Sequence, residues 1–208
     1  MKNLLLTLLL VLPLTNVYAQ NDANEDKDIS IELMGGRAWG ETDFNINIQQ
    51  KGNAIAVKYR LREEFDWQTI KTDTTYQTLK AVYAATTDKG QKKSLSDKLL
   101  IIMHQHRPTY QDSIMVKSEP FEKYSSLLNY VANAKGKSFD GGPNYVMDGD
   151  FILCKITYQG KTRQISKSSP LSLDSPLLYS LFNETLQIGA ETGSKSALKI
   201  AEVFKYLF

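Results

Sequence analysis

Two histidines, His104 and His106, are the residues whose type and spacing first suggest chemistry in this chain. They lie one residue apart in the stretch IIMHQHRPTY. In a strand, residues two apart point to the same side and would bind one metal ion together, whereas in a helix they point in different directions. A catalytic zinc site usually takes three protein ligands, and the sequence contains no third histidine. We therefore predict that this pair binds no metal.

The local structure of residues 95–106 decides between the two geometries. Ser94 and Asp97 resemble a capping box at the start of a helix, and Pro108 would end it. The apolar run LLIIM would also suit a buried strand, which remains the alternative. We expect the helix because four side chains recur at helical spacing: Leu95, Leu99, Ile102 and His106.

Asp140, Asp148 and Asp150, in the stretch FDGGPNYVMDGD, are the candidates for a calcium site because carboxylates interleaved with glycine can surround a hard cation. A calcium loop of the EF-hand type needs acidic residues at alternate positions, and the gap between Asp140 and Asp148 does not provide them. Glycine and aspartate before a strand are typical of turns. We expect an ordinary turn before Phe151.

Lys58, Arg60 and Arg62 alternate along a predicted strand, so their side chains share one face. They are candidates for receiving a phosphate or a carboxylated sugar. The alternative is a solvated face that keeps an edge strand from pairing with other molecules. Glu63 and Glu64 follow directly and no aromatic residue is interleaved, so we expect the solvated face.

Cys154 is the only cysteine, so the chain cannot form an intramolecular disulfide. It alternates with Ile152, Ile156 and Tyr158, which places the thiol on an apolar strand face as a small buried hydrophobe. The sequence also lacks a G-x-S-x-G elbow, a phosphate-binding glycine loop, an H-E-x-x-H motif and a Cys/His metal framework. We predict no catalytic, cofactor-binding or metal-binding residue and lean towards a protein that is not an enzyme.

Three segments in the first third of the chain alternate apolar and polar residues with the period of a half-buried strand. The glycine-rich stretch MGGRAWGET and the turn QKGN would join them into an antiparallel meander. A second hairpin is expected at Phe151–Tyr158 and 161–165, around Gln159 and Gly160. The apolar members of the three segments are Ile29, Ile31 and Leu33, then Phe44, Ile46 and Ile48, then Ile55, Val57, Tyr59 and Leu61.

Helical spacing recurs in five places, and we expect these helices to cover the sheet. Two glycines are candidate helix ends, Gly136 and Gly189. The fold class is α+β, an antiparallel β-meander and a second β-hairpin packed with about four to five helices. The helices are expected from Asp73, over 94–106, from Pro120, from Ser175 with Pro176 at the first position, and from Ser194 or Ser196.

The N-terminal residues have the features of an export signal. Residues 1–19 carry one lysine, a short apolar core and small residues at the exit, which predicts a signal peptide cleaved between Ala19 and Gln20 and resembles Gram-negative exported proteins. Residues 20–28 form an acidic leader that we expect to be disordered. Residues 29–208 form a single domain, or alternatively two subdomains split near 90–118, without a membrane span.

The composition narrows the class of partner. The chain of 208 residues has 25 Lys and Arg against 23 Asp and Glu, a balance that argues against nucleic acid. We expect an exported, periplasmic or secreted, non-catalytic module that binds an unknown envelope macromolecule or a small ligand through its loops and its polar sheet face. The alternative is a periplasmic hydrolase that uses carboxylates or a His-assisted metal.

Overall fold

The fold is an antiparallel sheet with helices, as expected for an α+β protein. It is described in a computed structural model over residues 28–37, 42–139, 151–168 and 175–205. The strands are β1 (Ile29–Gly36), β2 (Asp43–Lys51), β3 (Ala54–Arg62), β4 (Thr109–Lys117), β5 (Phe151–Tyr158) and β6 (Lys161–Ser168). The helices are α1 (Trp67–Thr72), α2 (Thr74–Ala85), α3 (Lys89–Gln105), α4 (Glu122–Asn133), α5 (Pro176–Glu191) and α6 (Lys195–Val203). Short 3-10 turns span Glu119–Phe121 and Gly136–Phe139.

The strands form one sheet in the order β4-β3-β2-β1-β5-β6, and each neighbouring pair is antiparallel. The predicted meander is β1 to β3, and the predicted second hairpin is β5 and β6. Its turn uses Gln159 and Gly160, both with positive φ, as a two-residue hairpin requires. Every apolar residue assigned to the buried face of β1, β2 and β3 is buried.

Strand β4 was not predicted, because a polar residue interrupts its apolar face. Tyr110, Ile114 and Val116 alternate on the side of the core, but Asp112 stands between them. The Asp112 carboxylate accepts hydrogen bonds from Ser194 Oγ at 2.7 Å and from the backbone N–H of Ser196 at 3.0 Å. An aspartate is favourable there because the first N–H groups of α6 have no partner within the helix.

Three helices, α4, α5 and α6, cover one face of the sheet and complete a single core. Each presents an apolar stripe at helical spacing, as the sequence predicts. Ser194 caps α6 by accepting the N–H of Ala197, which confirms the first of the two predicted helix starts. The largest buried members are Tyr59, Tyr124, Phe44, Phe139 and Phe182.

Both predicted glycine stops were wrong. Helix α4 ends at Asn133, before Gly136, and α5 continues through Gly189 to Glu191. The residue in the left-handed conformation after α5 is Gly193, with φ of 84°. Gly189 instead allows close packing, because a Cβ there would lie 2.4 Å from the Ala197 Cβ and 2.8 Å from the Tyr59 hydroxyl.

Helices α2 and α3 do not cover the sheet, contrary to the prediction, and α1 was not predicted. They form an insertion between β3 and β4, called here the arm (residues 67–105), in which α2 packs mainly against α3. Only Ile70 and Ile102 are buried in the arm. Because α2 and α3 pack mainly against each other rather than against a layer, several of their large apolar side chains stay exposed, among them Val82 at 47% and Ile101 at 59%.

The helical interpretation of residues 95–106 is confirmed through Gln105, but the helix starts earlier than predicted. Asp88 is its N-cap and accepts the N–H of Gln91 at 2.7 Å. Ser94 and Asp97 therefore lie inside α3, and the predicted capping box was wrong. Among the described residues, no helix combines the length and apolar character needed to cross a membrane.

The close packing at Gly189 predicts a large effect of a single methyl group. Replacing Gly189 with alanine should lower the free energy of unfolding by about 1–3 kcal/mol, because the methyl overpacks the contact among α5, α6 and β3. Urea unfolding followed by circular dichroism would measure it. The matched control is Gly90→Ala in α3, where a Cβ meets only Asp88 Oδ1, at 3.4 Å. Equal stability of the two variants would contradict this packing.

Candidate functional site

One face of the sheet is left open, because no described element packs against it. Strict alternation places the polar members of β1 to β5 on this side, opposite the core. The register aligns the residues of this face, which include the apolar Met34 and Leu153, in rows that cross all six strands. The first row is Ser113, Lys58, Asn47, Glu32, Lys155 and Gln164, and the second is Gln111, Arg60, Asn45, Met34, Leu153 and Ser166.

A polar depression of about 340 Å³ lies in the half of this face formed by β1 to β4. Within it, Asn45 Nδ2 donates to Glu32 Oε1 at 2.9 Å, and Asn47 Nδ2 donates to Asn45 Oδ1. This chain of planar side chains holds the amides in fixed orientations and leaves acceptor and donor atoms directed outwards. The polar side chains that line it are Glu32, Asn45, Asn47, Lys58, Arg60 and Gln111.

Basic side chains on the open face differ in whether they are paired. Arg62 Nε donates to Asp43 Oδ1 at 2.9 Å, which neutralises that guanidinium. Lys58, Arg60 and Lys155 make no ion pair or side-chain hydrogen bond within the described structure. Lys58 and Arg60 are exposed, as expected for a solvated face, but the edge-strand role does not apply, because β3 is an inner strand that pairs with both β2 and β4.

An apolar shelf adjoins the polar depression on β1 and β5. Met34, Leu153 and Phe151 line a second depression of about 360 Å³, and the Phe151 side chain is 41% exposed. Gly36 lies opposite Phe151, where a Cβ would stand 3.3 Å from the ring and 2.9 Å from the Thr42 carbonyl. The glycine therefore places no side chain over the aromatic ring.

The two predicted histidines lie at the last residues of α3 and its C-cap and do not form a pair. His104 is exposed and its ring contacts Phe65, with 5.2 Å between the ring centroids. His106 Nε2 lies 2.8 Å from Asp73 Oδ2. The N–H of Tyr76 and this histidine hold the pKa of Asp73 below its usual value. The described residues contain no group of three metal-ligating side chains.

Arg107 joins the arm to the sheet, and sequence reasoning did not identify it. Its buried guanidinium donates from Nε to the Glu63 carbonyl at 2.6 Å and lies 3.0 Å from Asp43 Oδ2. It also lies over the Phe65 ring, 5.4 Å from the centroid. Asp43 therefore binds two arginines at once. The charged run Arg62, Glu63 and Glu64 is visible in the sequence, but it does not reveal that Arg107, 44 residues after Glu63, binds there.

The remaining sequence candidates add no site. Asp140, Asp148 and Asp150 lie outside the described residues. Cys154 is fully buried in the core, as predicted, and burial raises the pKa of its thiol to about 12. A thiol that resists ionisation in this way is a poor nucleophile.

Comparisons of the chain with models of protein families, with curated proteins and with solved structures gave no match. The open face is therefore interpreted from its own residues.

The positions of the two histidines predict how the protein responds to zinc. Zinc should shift the melting temperature of the parent and of a His104→Gln/His106→Gln variant by the same small amount, because the imidazoles do not converge. A true site would stabilise the fold by about 2.7 kcal/mol at a zinc concentration of 100 times Kd. Differential scanning fluorimetry with and without a chelator measures this. A shift of several degrees in the parent alone would show that a site exists.

Proposed function

We propose that this protein is an exported binding module whose open sheet face holds an anionic ligand. The observation that carries the proposal is the set of three unpaired cations, Lys58, Arg60 and Lys155, on a face lined with amide side chains. Cations that have no partner in the fold are available to one from outside. Their attraction to an anion also speeds the encounter.

The polar depression supports binding more than hydrolysis. Among the described side chains that line it, Glu32 is the only carboxylate, whereas glycoside hydrolysis usually needs two carboxyl groups. Asp43, at the edge of the neighbouring shelf, is engaged by Arg62 and Arg107. Neither histidine lines the polar depression or the shelf. A periplasmic hydrolase remains the alternative, and no observation on this face favours it.

The ligand surface is shallow and rigid, which suits a polymer. Interior strands β1, β2 and β3 are hydrogen bonded on both sides, so their side chains project from a fixed backbone. A partner that lies across several strands makes many weak contacts and does not occupy one deep pocket. An envelope macromolecule fits this geometry better than a small molecule, which usually occupies an enclosed cavity.

A double variant tests the open face. Replacing Lys58 and Arg60 with glutamine should weaken binding to an anionic polymer at least about tenfold, equivalent to about 1.4 kcal/mol, because both unpaired charges are lost. Isothermal titration at about 50 mM salt with polygalacturonate, poly-L-glutamate and dextran sulfate supplies the measurement, since exposed charges are screened at higher salt.

The matched control is Lys80→Gln/Lys93→Gln, which removes two exposed lysines of the arm. It has the same net charge as the open-face variant, so a general effect of charge would weaken both equally. Failure of all three polymers to bind the parent would overturn the proposed function, and so would equal weakening of the two variants.

Export is proposed from residues 1–19 and has its own test. Protein recovered from the periplasm of a Gram-negative host should start at Gln20, as shown by N-terminal sequencing, because Val17 and Ala19 suit the signal peptidase. An Ala19→Arg variant should keep its leader, because a large charged side chain does not fit the peptidase pocket. Periplasmic material of the parent that begins at Met1 would contradict the proposal.

A further inference from the structure

We infer that the anionic ligand is a carboxylated polysaccharide that lies across the strands of the open face. One sugar carboxylate binds at Lys58 and Arg60, and a neighbouring sugar ring packs on the shelf of Met34, Leu153 and Phe151. This inference rests on the proposed function and adds the chemical class of the ligand.

The polar depression offers both donors and acceptors, which matches hydroxyl groups. A hydroxyl both donates and accepts, so it can bind a carboxylate and an amide together. Glu32 uses one oxygen for Asn45, at 2.9 Å, and presents acceptor capacity to the ligand. Arg60 and Lys58 are donors only. Together these side chains select a ligand that combines carboxylates with hydroxyls.

The apolar shelf accounts for the second half of the site. The C–H face of a sugar ring is apolar, and burying it against Phe151 and Leu153 removes apolar surface from water. The Phe151 ring is half exposed, and Gly36 opposite provides no side chain to cover it. The polar depression and the shelf adjoin one another, because Asn45 and Arg60 line both.

The spacing of the cations favours a polymer over a single sugar acid. Lys58 on β3 and Lys155 on β5 stand in the same cross-strand row, with Asn47 and Glu32 between them. They are three strand spacings apart, which is about 14 Å. A chain that crosses the strands along this row meets a cation near each end and hydrogen-bonding groups between them.

An acidic peptide fits the same face less well. A bound peptide commonly adds a strand to a sheet edge, but Lys58, Arg60 and Lys155 lie on β3 and β5, which are interior strands. A carboxylate-rich peptide side chain would also approach Glu32, where like charges repel. The hydroxyl groups of a sugar relieve that conflict by donating to Glu32.

Three polymers separate these chemistries. Polygalacturonate should bind the mature protein at least tenfold more tightly than its methyl ester, which has the same rings without the charge. It should also bind at least tenfold more tightly than poly-L-glutamate, which has the charge without the rings or hydroxyls. Isothermal titration at matched carboxylate concentration gives the comparison, and alginate serves as a second carboxylated polysaccharide.

Single variants locate each contact. Arg60→Gln should weaken polygalacturonate and poly-L-glutamate alike, whereas Phe151→Ala should weaken polygalacturonate severalfold and leave poly-L-glutamate unchanged. Phe151→Leu keeps an apolar side chain without the ring and should have the same selective effect, which protects the test if the alanine variant unfolds. Lys80→Gln is the control and should change neither affinity.

The outcomes distinguish the two levels of the proposal. If poly-L-glutamate binds the open face as tightly as polygalacturonate and alginate do, the anion-binding function stands and the polysaccharide inference is overturned. The inference is also overturned if the methyl ester binds as tightly as polygalacturonate, or if both Phe151 variants leave every affinity unchanged. If no anionic polymer binds, both proposals fail together.

Discussion

The buried hydroxyl of Tyr59 fixes the position of the sheet against its helices. It donates to the Thr185 carbonyl of α5 at 2.7 Å, and the Thr185 hydroxyl lies 2.9 Å from the Tyr124 hydroxyl of α4. Burial raises the pKa of Tyr59, so the phenol stays protonated and able to donate. A buried hydroxyl without a partner would cost about 1–3 kcal/mol, so this network favours the observed position of α4 and α5 on β3 over shifted ones. Gly189 permits the close approach that the bond requires.

Because the helices cover one face of the sheet, the opposite face is the one that a ligand can reach. Because successive strand residues point to opposite faces, buried Val57, Tyr59 and Leu61 of β3 are each followed by a basic residue on the open face. Tyr59 lies in the core, and its neighbours Lys58 and Arg60 therefore face outwards. The backbone N–H and C=O groups of the interior strands are hydrogen bonded to neighbouring strands. Recognition on the open face therefore depends on side chains.

Only Ile70 and Ile102 are buried in the arm, and contacts of Arg107 at its base hold it to the sheet. Arg107 is buried between Asp43, the Glu63 carbonyl and the Phe65 ring, and Asp43 also binds Arg62. A buried guanidinium is tolerated only with partners of this kind, because an unpaired charge is costly to remove from water. These contacts link the arm to the sheet where β2 begins and β3 ends, beside the apolar shelf.

The sequence by itself determined the existence of the elements that have a strict period, although not every boundary. The alternation in β1 to β3, the hairpin at Gln159 and Gly160, the burial of Cys154, and the helices α4 to α6 are local patterns that need no knowledge of distant residues. The alternation also places Lys58 and Arg60 on one face, so half of the candidate site was visible from the sequence.

Tertiary structure alone decided which side of the sheet is covered and which residues meet across it. Strand β4 escaped prediction because Asp112 interrupts its apolar face, and only the position of α6 explains that aspartate. Helix α2 has the period of a covering helix but lies in the arm, because amphipathic spacing does not specify which neighbour a helix packs against. Gly189 looked like a helix end because a close approach to Tyr59 leaves no mark in sequence. The shelf required the register that brings Phe151 opposite Gly36, a contact 115 residues apart that no local pattern encodes.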